Sequence, residues 1–491
     1  MFKKMRIDCS PTIVRSTIDG FVTRDAEVGA HSASGVQAIS KDILEHCYRR
    51  VCRIVTSDIL SGFGPEVLLP RHGPGSVAEG ATSPGSKYQR GIWTDRLESC
   101  LPFTEFLMPN LGWVGIGAQD GGWDFTHLAP DQEPPVRVVT VPKTQKGPRV
   151  IAMEPTHMQY AQQAIAGWLI PRIESGRYTG GHVNFQRQEV NAGLAMLSSR
   201  TQQLSTIDLS EASDRVSLAL VEDLLGVNPA LKEAVLAARS QTADVPGHGV
   251  IRLRKFAAMG SALCFPIESL VFYCLAVAAI LTESNVRITP RSVKAAGRDV
   301  YVYGDDIIAP VQRTDCVISS LELVGLKVNL SKSYQRGHFR ESCGTDAFYG
   351  YRVTPVYVRE LLGHGRPQRG FVSWISLRNQ LYVAGMWAAA RYVQKTVETT
   401  YGAQPYVQPT SPGLGWFSRL GYDVHKTSRD TQSPLVKAWT VKPVYTADHL
   451  DSGPALMKCF LNPSREKDPL HLERSVMHGA IRIQRRWIPP F

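Results

Sequence analysis

The spacing of apolar and polar positions changes several times along the chain, and each change marks an element. Lys41–Leu60 and Met158–Ile173 repeat apolar residues with helical spacing. Between them Ser61–Gly91, which holds RHGPGSVAEG and a second Gly-Pro cluster, reads as loop, and so does the turn-rich tract Gly112–Pro135. From Val136 the run VRVVTVPKTQKGPRVIAMEP gives a strand, a basic turn and a second strand. Leu204–Leu225, LSTIDLSEASDRVSLALVEDLL, reads as a strand ending at Asp208, a turn, and a helix from about Ala212 capped by Ser210 or Ser213. Gly226–Lys255 reads as an insertion with one helix and a turn at Asp244–Gly249. Met259–Leu281 opens as a Gly/Ser loop and becomes an apolar helix that tolerates Pro266 near its start. Val317–Gly325 is predicted helical, and Lys327–Tyr334 a short strand or loop.

The rest of the chain is organised around Val300–Pro310, VYVYGDDIIAP. Its β-branched and aromatic runs flank Gly304, Asp305 and Asp306, the pattern of a hairpin whose turn needs a residue free to adopt positive φ. Val300, Val302, Ile307 and Ile308 are expected to anchor the strands, leaving two carboxylates at the tip. Adjacent carboxylates repel each other unless a cation lies between them, and magnesium prefers carboxylate oxygen. Taken alone, the stretch is equally an ordinary Asp-containing turn.

Composition narrows the class. With 43% hydrophobic and 20% charged residues the chain is globular rather than disordered, and 491 residues exceed what one core supports, so several subdomains are expected. Lys and Arg outnumber Asp and Glu by 11, which favours a polyanionic partner such as nucleic acid. The nine cysteines lack CxxC spacing and read as reduced core residues, not as a disulfide framework or zinc site. No secretory signal is visible at the N-terminus. The longest apolar run, Ser269–Leu281, is too short to span a bilayer, so a soluble protein with no membrane partner is expected.

The candidate chemistry is that of nucleotidyl transfer, which needs carboxylates for divalent ions, cations for a triphosphate and a proton donor. Asp208 and Asp305 would hold the ions from neighbouring strands, with Asp306 in support. Lys143, Lys146 and Arg149 on the basic turn are candidate triphosphate ligands, although such a turn is as readily a solvated loop. Lys332 is a candidate acid for the pyrophosphate. Asp214 lies one turn beyond Asp208, where it is also a favourable first-turn acid. The glycine loop His72–Gly80 lacks the lysine of a P-loop and reads as a surface loop. The late basic cluster RIQRRW, Arg482–Trp487, reads as an RNA contact or a solvated tail.

In the order TIDLSEASDRVS, MGSALCFPIES, YGDDII, NLSKSY and FRESCG, the chain resembles viral RNA-directed RNA polymerases, and most of all the replicase beta subunit of the RNA bacteriophages, the leviviruses; narnavirus and ourmiavirus polymerases share parts of the pattern. VPKTQKGPRVIAMEPTHMQY resembles the family's nucleotide-entry segment, and the match covers about residues 136–360. The resemblance implies an α+β right-hand polymerase, with an N-terminal region (1–135) contributing to fingers and fingers carrying the entry segment (136–203). A palm of antiparallel sheet and helices (204–360) would hold a fingers insertion at about 226–258, and a helical thumb and C-terminal region (361–491) would follow. It places the metal-binding acids on Asp208, Asp305 and Asp306, the ribose-sensing acid on Asp214 and the general acid on Lys332. It further implies two magnesium ions, with manganese as the alternative, an RNA template and product, ribonucleoside triphosphates, de novo initiation and action in the host cell cytoplasm. Host translation elongation factors and a ribosomal RNA-binding protein are the partners it implies.

One departure matters. The Gly-x-x-x-Thr-x-x-x-Asn pattern of many RNA polymerases becomes Gly260, Cys264 and Glu268, an arrangement the phage replicases share in its Glu. An ionised Glu accepts but cannot donate as an amide would. The expectation is that Asp214 accepts from the 2′-hydroxyl, Ser261 or Ser269 bridges, and Glu268 is held by a backbone or basic partner. The alternatives are a reverse transcriptase, disfavoured by the Gly of YGDD and by Asp214, and a non-catalytic RNA-binding protein.

Overall fold

An apolar run with no polar stripe must be covered on every side, and the helix Cys264–Glu283 is. In the computed structural model every residue from Pro266 to Leu281 is buried. This helix is long and apolar enough to cross a bilayer, but 89% of its apolar window lies inside the protein, packed against the helices Val36–Val55, Leu218–Leu225 and Thr314–Leu323. The structure describes all residues except 1, 3–4, 6–8, 31–35, 74, 81–85, 90, 107–124, 145, 362–366, 445–454, 456–457 and 459–479. The second Gly-Pro cluster and most of the Gly112–Pro135 tract fall outside the described residues.

Against the core helix lies a three-stranded antiparallel sheet. Its central strand Asp306–Pro310 pairs with Leu204–Asp208 on one side and Tyr301–Tyr303 on the other. Alternation puts Ile207, Val302 and Ile307 into the main core, and Val300, Val302, Ile307 and Ile308 are all fully buried, as their apolar pattern predicts. Both sheet edges are covered. Residues His182–Asn184 bond to Val302, and Thr206 exchanges backbone bonds with Tyr334.

A second sheet of four strands is built from the hairpin Val136–Thr144 with Gly147–Met153 and the hairpin Thr242–Val245 with Gly249–Arg252. The first helix, Pro11–Ala30, lays Ile18 and Phe21 against Val136, Val138, Ala152 and Val245 of this sheet. The first hairpin follows the predicted strand–turn–strand pattern; in the second, the expected turn is flanked by two short strands that the sequence reading did not include.

The fold is α+β, and four sequence expectations are corrected in detail. The helix expected from Ala212 begins at Leu218, because residues 212–214 wind into a 3-10 turn after Glu211 takes a φ of +48°; its cap is Ser217, which accepts from the Leu220 amide, not Ser210 or Ser213. The glycine loop is drawn inward at its start, while Gly75, Ser76 and Gly80 stay exposed. His72 and Gly73 are buried, and the buried Lys87 ammonium donates to the carbonyls of Gly73 and Gly75 and to Gln159. The C-terminal region is not helical throughout: in its first half the helices Pro367–Val383 and Trp387–Tyr401 share a core with Trp416. In its second half Pro434–Val444 pairs antiparallel with Ala480–Ile488, which puts the basic cluster of Arg482–Trp487 on a strand rather than a tail. All eight described cysteines are free.

Candidate active site

Gly304 has a φ of +62°, and a Cβ there would overlap the Phe265 ring, so the turn needs glycine both for its conformation and for its closeness to the core helix. Ser269 ties the two together: its hydroxyl donates to the Phe265 carbonyl at 2.8 Å and accepts from the Gly304 amide at 3.2 Å. The tip is therefore rigid. It delivers Asp305 in the turn and Asp306 at the start of the central strand.

Asp208 is the register partner of Asp306. Directly opposed residues of an antiparallel pair share a face of the sheet with Cα atoms about 4.5–5.5 Å apart, so acids separated by nearly a hundred positions in sequence meet here. Asp208 is held from the covered edge: its Oδ2 accepts from Asn329 Nδ2 at 2.8 Å and from Lys332 Nζ at 3.3 Å. Asp306 Oδ2 accepts from the Cys343 amide at 3.1 Å.

The electrostatics follow from this crowding. Burial and then the Asp208 charge raise Asp305 above the usual carboxylate range. Burial, Asp305 and Glu341 push Asp306 up to about 7. Burial would lower Lys332, but Asp208, Glu341 and Asp305 outweigh it and hold the ammonium above its ordinary value. On the entry hairpin, Lys143 is lowered by its surroundings and by the neighbouring Arg149 and Lys332, while Asp305 and Asp208 pull it back. Lys143 and Arg149 thus belong to the same charged cluster as the carboxylates. Lys146 is exposed at the turn of the hairpin.

Among the described residues no three His, Cys, Asp or Glu side chains form a ready-made metal cage. Two carboxylates nevertheless suit magnesium, which keeps several waters and takes further oxygens from substrate phosphates. The elevation of Asp305 and Asp306 is what a cation beside them would relieve.

Asp214 sits at the end of the 3-10 turn and is 8% exposed. Its Oδ1 accepts from Lys255 Nζ at 2.9 Å and its Oδ2 from the Arg24 guanidinium at 3.3 Å. Ser261 and Ser269 do not bridge to it. Ser261 donates to Gln162 Oε1 at 3.0 Å, and Ser269 serves the hairpin tip. Gly260 has a φ of +135°, and a Cβ there would run into the Ala152 carbonyl; it lets the loop press against the entry hairpin, where the Ala152 amide bonds to the Met259 carbonyl at 2.8 Å. Nor does Glu268 have, among the described residues, the basic or backbone partner expected of it. Its recorded contact is the Cys264 thiol at 3.6 Å, and burial together with Asp305 pushes it up to about 8.

Sequence reasoning missed Asn329, Glu341, Arg24 and Lys255. Asn329 and Glu341 stand inside the quoted NLSKSY and FRESCG blocks and were available to a closer reading. Arg24 and Lys255 carry no motif.

Residues 131–388, more than half the chain, match the family described as RNA replicase, beta-chain. The chain belongs to this family. Every motif block read from the sequence lies within the matched span, so the resemblance to the phage replicases is borne out. The RNA-directed RNA polymerase subunit beta of Escherichia virus Qbeta is 37% identical over 231 residues, 47% of this chain and 36% of that protein. The RNA-directed RNA polymerase beta chain of Escherichia phage MS2 is 34% identical over 223 residues, 45% of this chain and 37% of that one. The matched region is thus little more than a third of the length of these curated relatives. Among solved structures, the RNA-dependent RNA polymerase of a human picorbirnavirus is similar at a TM-score of 0.38 and 13% identity, over 54% of this chain and 55% of that one.

Proposed function

We propose that this chain is an RNA-directed RNA polymerase, the catalytic subunit of a replicase that copies single-stranded RNA from ribonucleoside triphosphates. The observation that carries the reading is the meeting of Asp208 with Asp305 and Asp306 across adjacent strands, beside Lys332 and the basic entry hairpin. Family membership supports it. In this reading the sheet and core helix form the palm (204–360), the entry hairpin belongs to the fingers, and the region after 361 is the thumb.

Asp208 and Asp305 would hold two divalent ions, magnesium or, in its place, manganese, with Asp306, whose Oδ2 accepts from the Cys343 amide, in support. When bound, the ions supply positive charge against which the attacking and departing oxygens develop theirs. Lys143 and Arg149 bind the triphosphate, and Lys146 extends the same cationic hairpin toward the solvent from which it arrives. Lys332 donates a proton to the departing pyrophosphate. Asp214 accepts from the ribose 2′-hydroxyl. Ser261, Ser269 and Gly260 act as scaffold. Action in the host cytoplasm, alongside host translation elongation factors and a ribosomal RNA-binding protein, is part of the same proposal; co-purification from a bacterial host tests the partners.

The experiment for the activity is extension on an RNA template with ribo- and deoxynucleotides supplied separately. Template-dependent ribonucleotide incorporation with rejection of deoxynucleotides is expected. Incorporation of deoxynucleotides with rejection of ribonucleotides would replace this reading by a reverse transcriptase.

A further inference from the structure

The first helix, Pro11–Ala30, lies in the least legible third of the sequence, yet it reaches the acid proposed to read the ribose. Three contacts fix its approach. The buried Asp25 carboxylate, 3% exposed, accepts from the backbone amides of Arg254 at 3.0 Å and Lys255 at 3.1 Å. Phe21 lies under the Lys255 ammonium, 3.3 Å from nitrogen to ring centroid. Glu27 pairs with Arg215 at 2.8 Å. With the helix so seated, Arg24 places its guanidinium on Asp214 Oδ2, while the fully buried Lys255 takes Oδ1.

We propose that Arg24 is a positioning residue of the nucleotide site, holding the Asp214 carboxylate in the orientation that accepts the ribose 2′-hydroxyl, with Lys255 as the second holder. This rests on the polymerase reading and goes beyond it, because it makes the N-terminal helix part of sugar selection. The chemistry calls for such a holder. Where many RNA polymerases place an amide able to donate to this acid, the chain has Glu268, whose recorded partner is Cys264 instead. An ionised carboxylate has about four acceptor positions. One cation on each oxygen fixes the plane of the group and leaves further lone pairs for a hydroxyl donor. A planar guanidinium fixes that plane better than a second ammonium would.

The test is single-nucleotide incorporation on an RNA template by the full chain, comparing kcat/KM for a ribonucleotide and its 2′-deoxy analogue in wild type, Arg24→Ala and Arg24→Lys. Loss of one charge-assisted bond to the reading acid is expected to lower the ribose preference by about tenfold or more in Arg24→Ala, chiefly through the ribonucleotide KM, with partial recovery in Arg24→Lys. A misfolded fraction lowers both rates together and leaves their ratio unchanged, so the ratio isolates positioning from folding. An unchanged ratio in Arg24→Ala overturns the proposal while leaving the polymerase reading standing. If Arg24→Ala is inactive with both sugars, Arg24→Lys decides: a lowered ratio supports the role and an unchanged one refutes it. Wild type that incorporates neither nucleotide refutes the polymerase reading and this inference with it.

Discussion

Glu268 is a carboxyl group 8% exposed in the core helix, beside Asp305 and Asp214 and with no cationic partner recorded, so its environment favours the protonated form. Its folded value of about 8 against an ordinary 4.5 corresponds, at about 1.4 kcal/mol per pH unit, to roughly 5 kcal/mol. The sign is fixed by where the proton goes. Between pH 4.5 and 8 the folded chain keeps the proton and the unfolded chain has released it, so stability falls as pH rises through this window. The contribution is fully present below 4.5 and gone above 8. Glu268→Gln has nearly the same shape and cannot ionise. Its stability relative to wild type is therefore expected to grow between pH 5 and 8, by a few kcal/mol, and to level off above. Asp306 and Glu154 titrate near 7 in both proteins and cancel in the difference. Urea denaturation followed by tryptophan fluorescence at pH 5, 6.5, 8 and 9, with divalent ions chelated, measures this. A wild-type-to-variant difference that stays constant with pH would refute the assignment of a buried, protonated Glu268.

Two further outcomes follow from the geometry. Gly304→Ala puts an L side chain at a φ of +62° and against the Phe265 ring; it is expected to lose about 2–4 kcal/mol of stability, with Phe265→Leu restoring part, and wild-type denaturation behaviour in the single variant would show the turn to be less constrained than described. Lys332→Met removes the proposed proton donor and is expected to lower turnover about a hundredfold with a smaller change in nucleotide KM. Unchanged turnover in steady-state extension assays would reassign Lys332 to holding Asp208 in place.

The hairpin at the centre of the site was legible because its two signals agree: apolar alternation for the strands and a glycine where positive φ is required. The core helix was legible for a similar reason, since an unbroken apolar run of that length has few other uses. What stayed hidden depends on contacts distant in sequence. Arg24 and Asp214 are 190 positions apart, and Lys255 sits after a hairpin in an inserted segment, so neither cation could be assigned to that acid from spacing. Ser269 was misread as a bridge because a serine hydroxyl in a helix readily bonds the carbonyl four residues back, and Ser261 because its acceptor, Gln162, lies 99 positions away. The helix start after Asp208 was placed too early because the left-handed Glu211 and the 3-10 turn consume residues that otherwise read as helical. In the C-terminal region the paired strands begin at Pro434 and Ala480, too far apart for a hairpin to be read from a turn signal.

The central claim is that Asp305 acts with Asp208 in chemistry rather than in architecture or RNA retention. Asp305→Asn keeps the shape and removes the charge, and the decisive measurement is its turnover on an RNA template with magnesium, set beside its affinity for the same RNA. The account predicts turnover reduced by about three orders of magnitude or more with RNA affinity within a few-fold of wild type. Turnover within tenfold of wild type would contradict it.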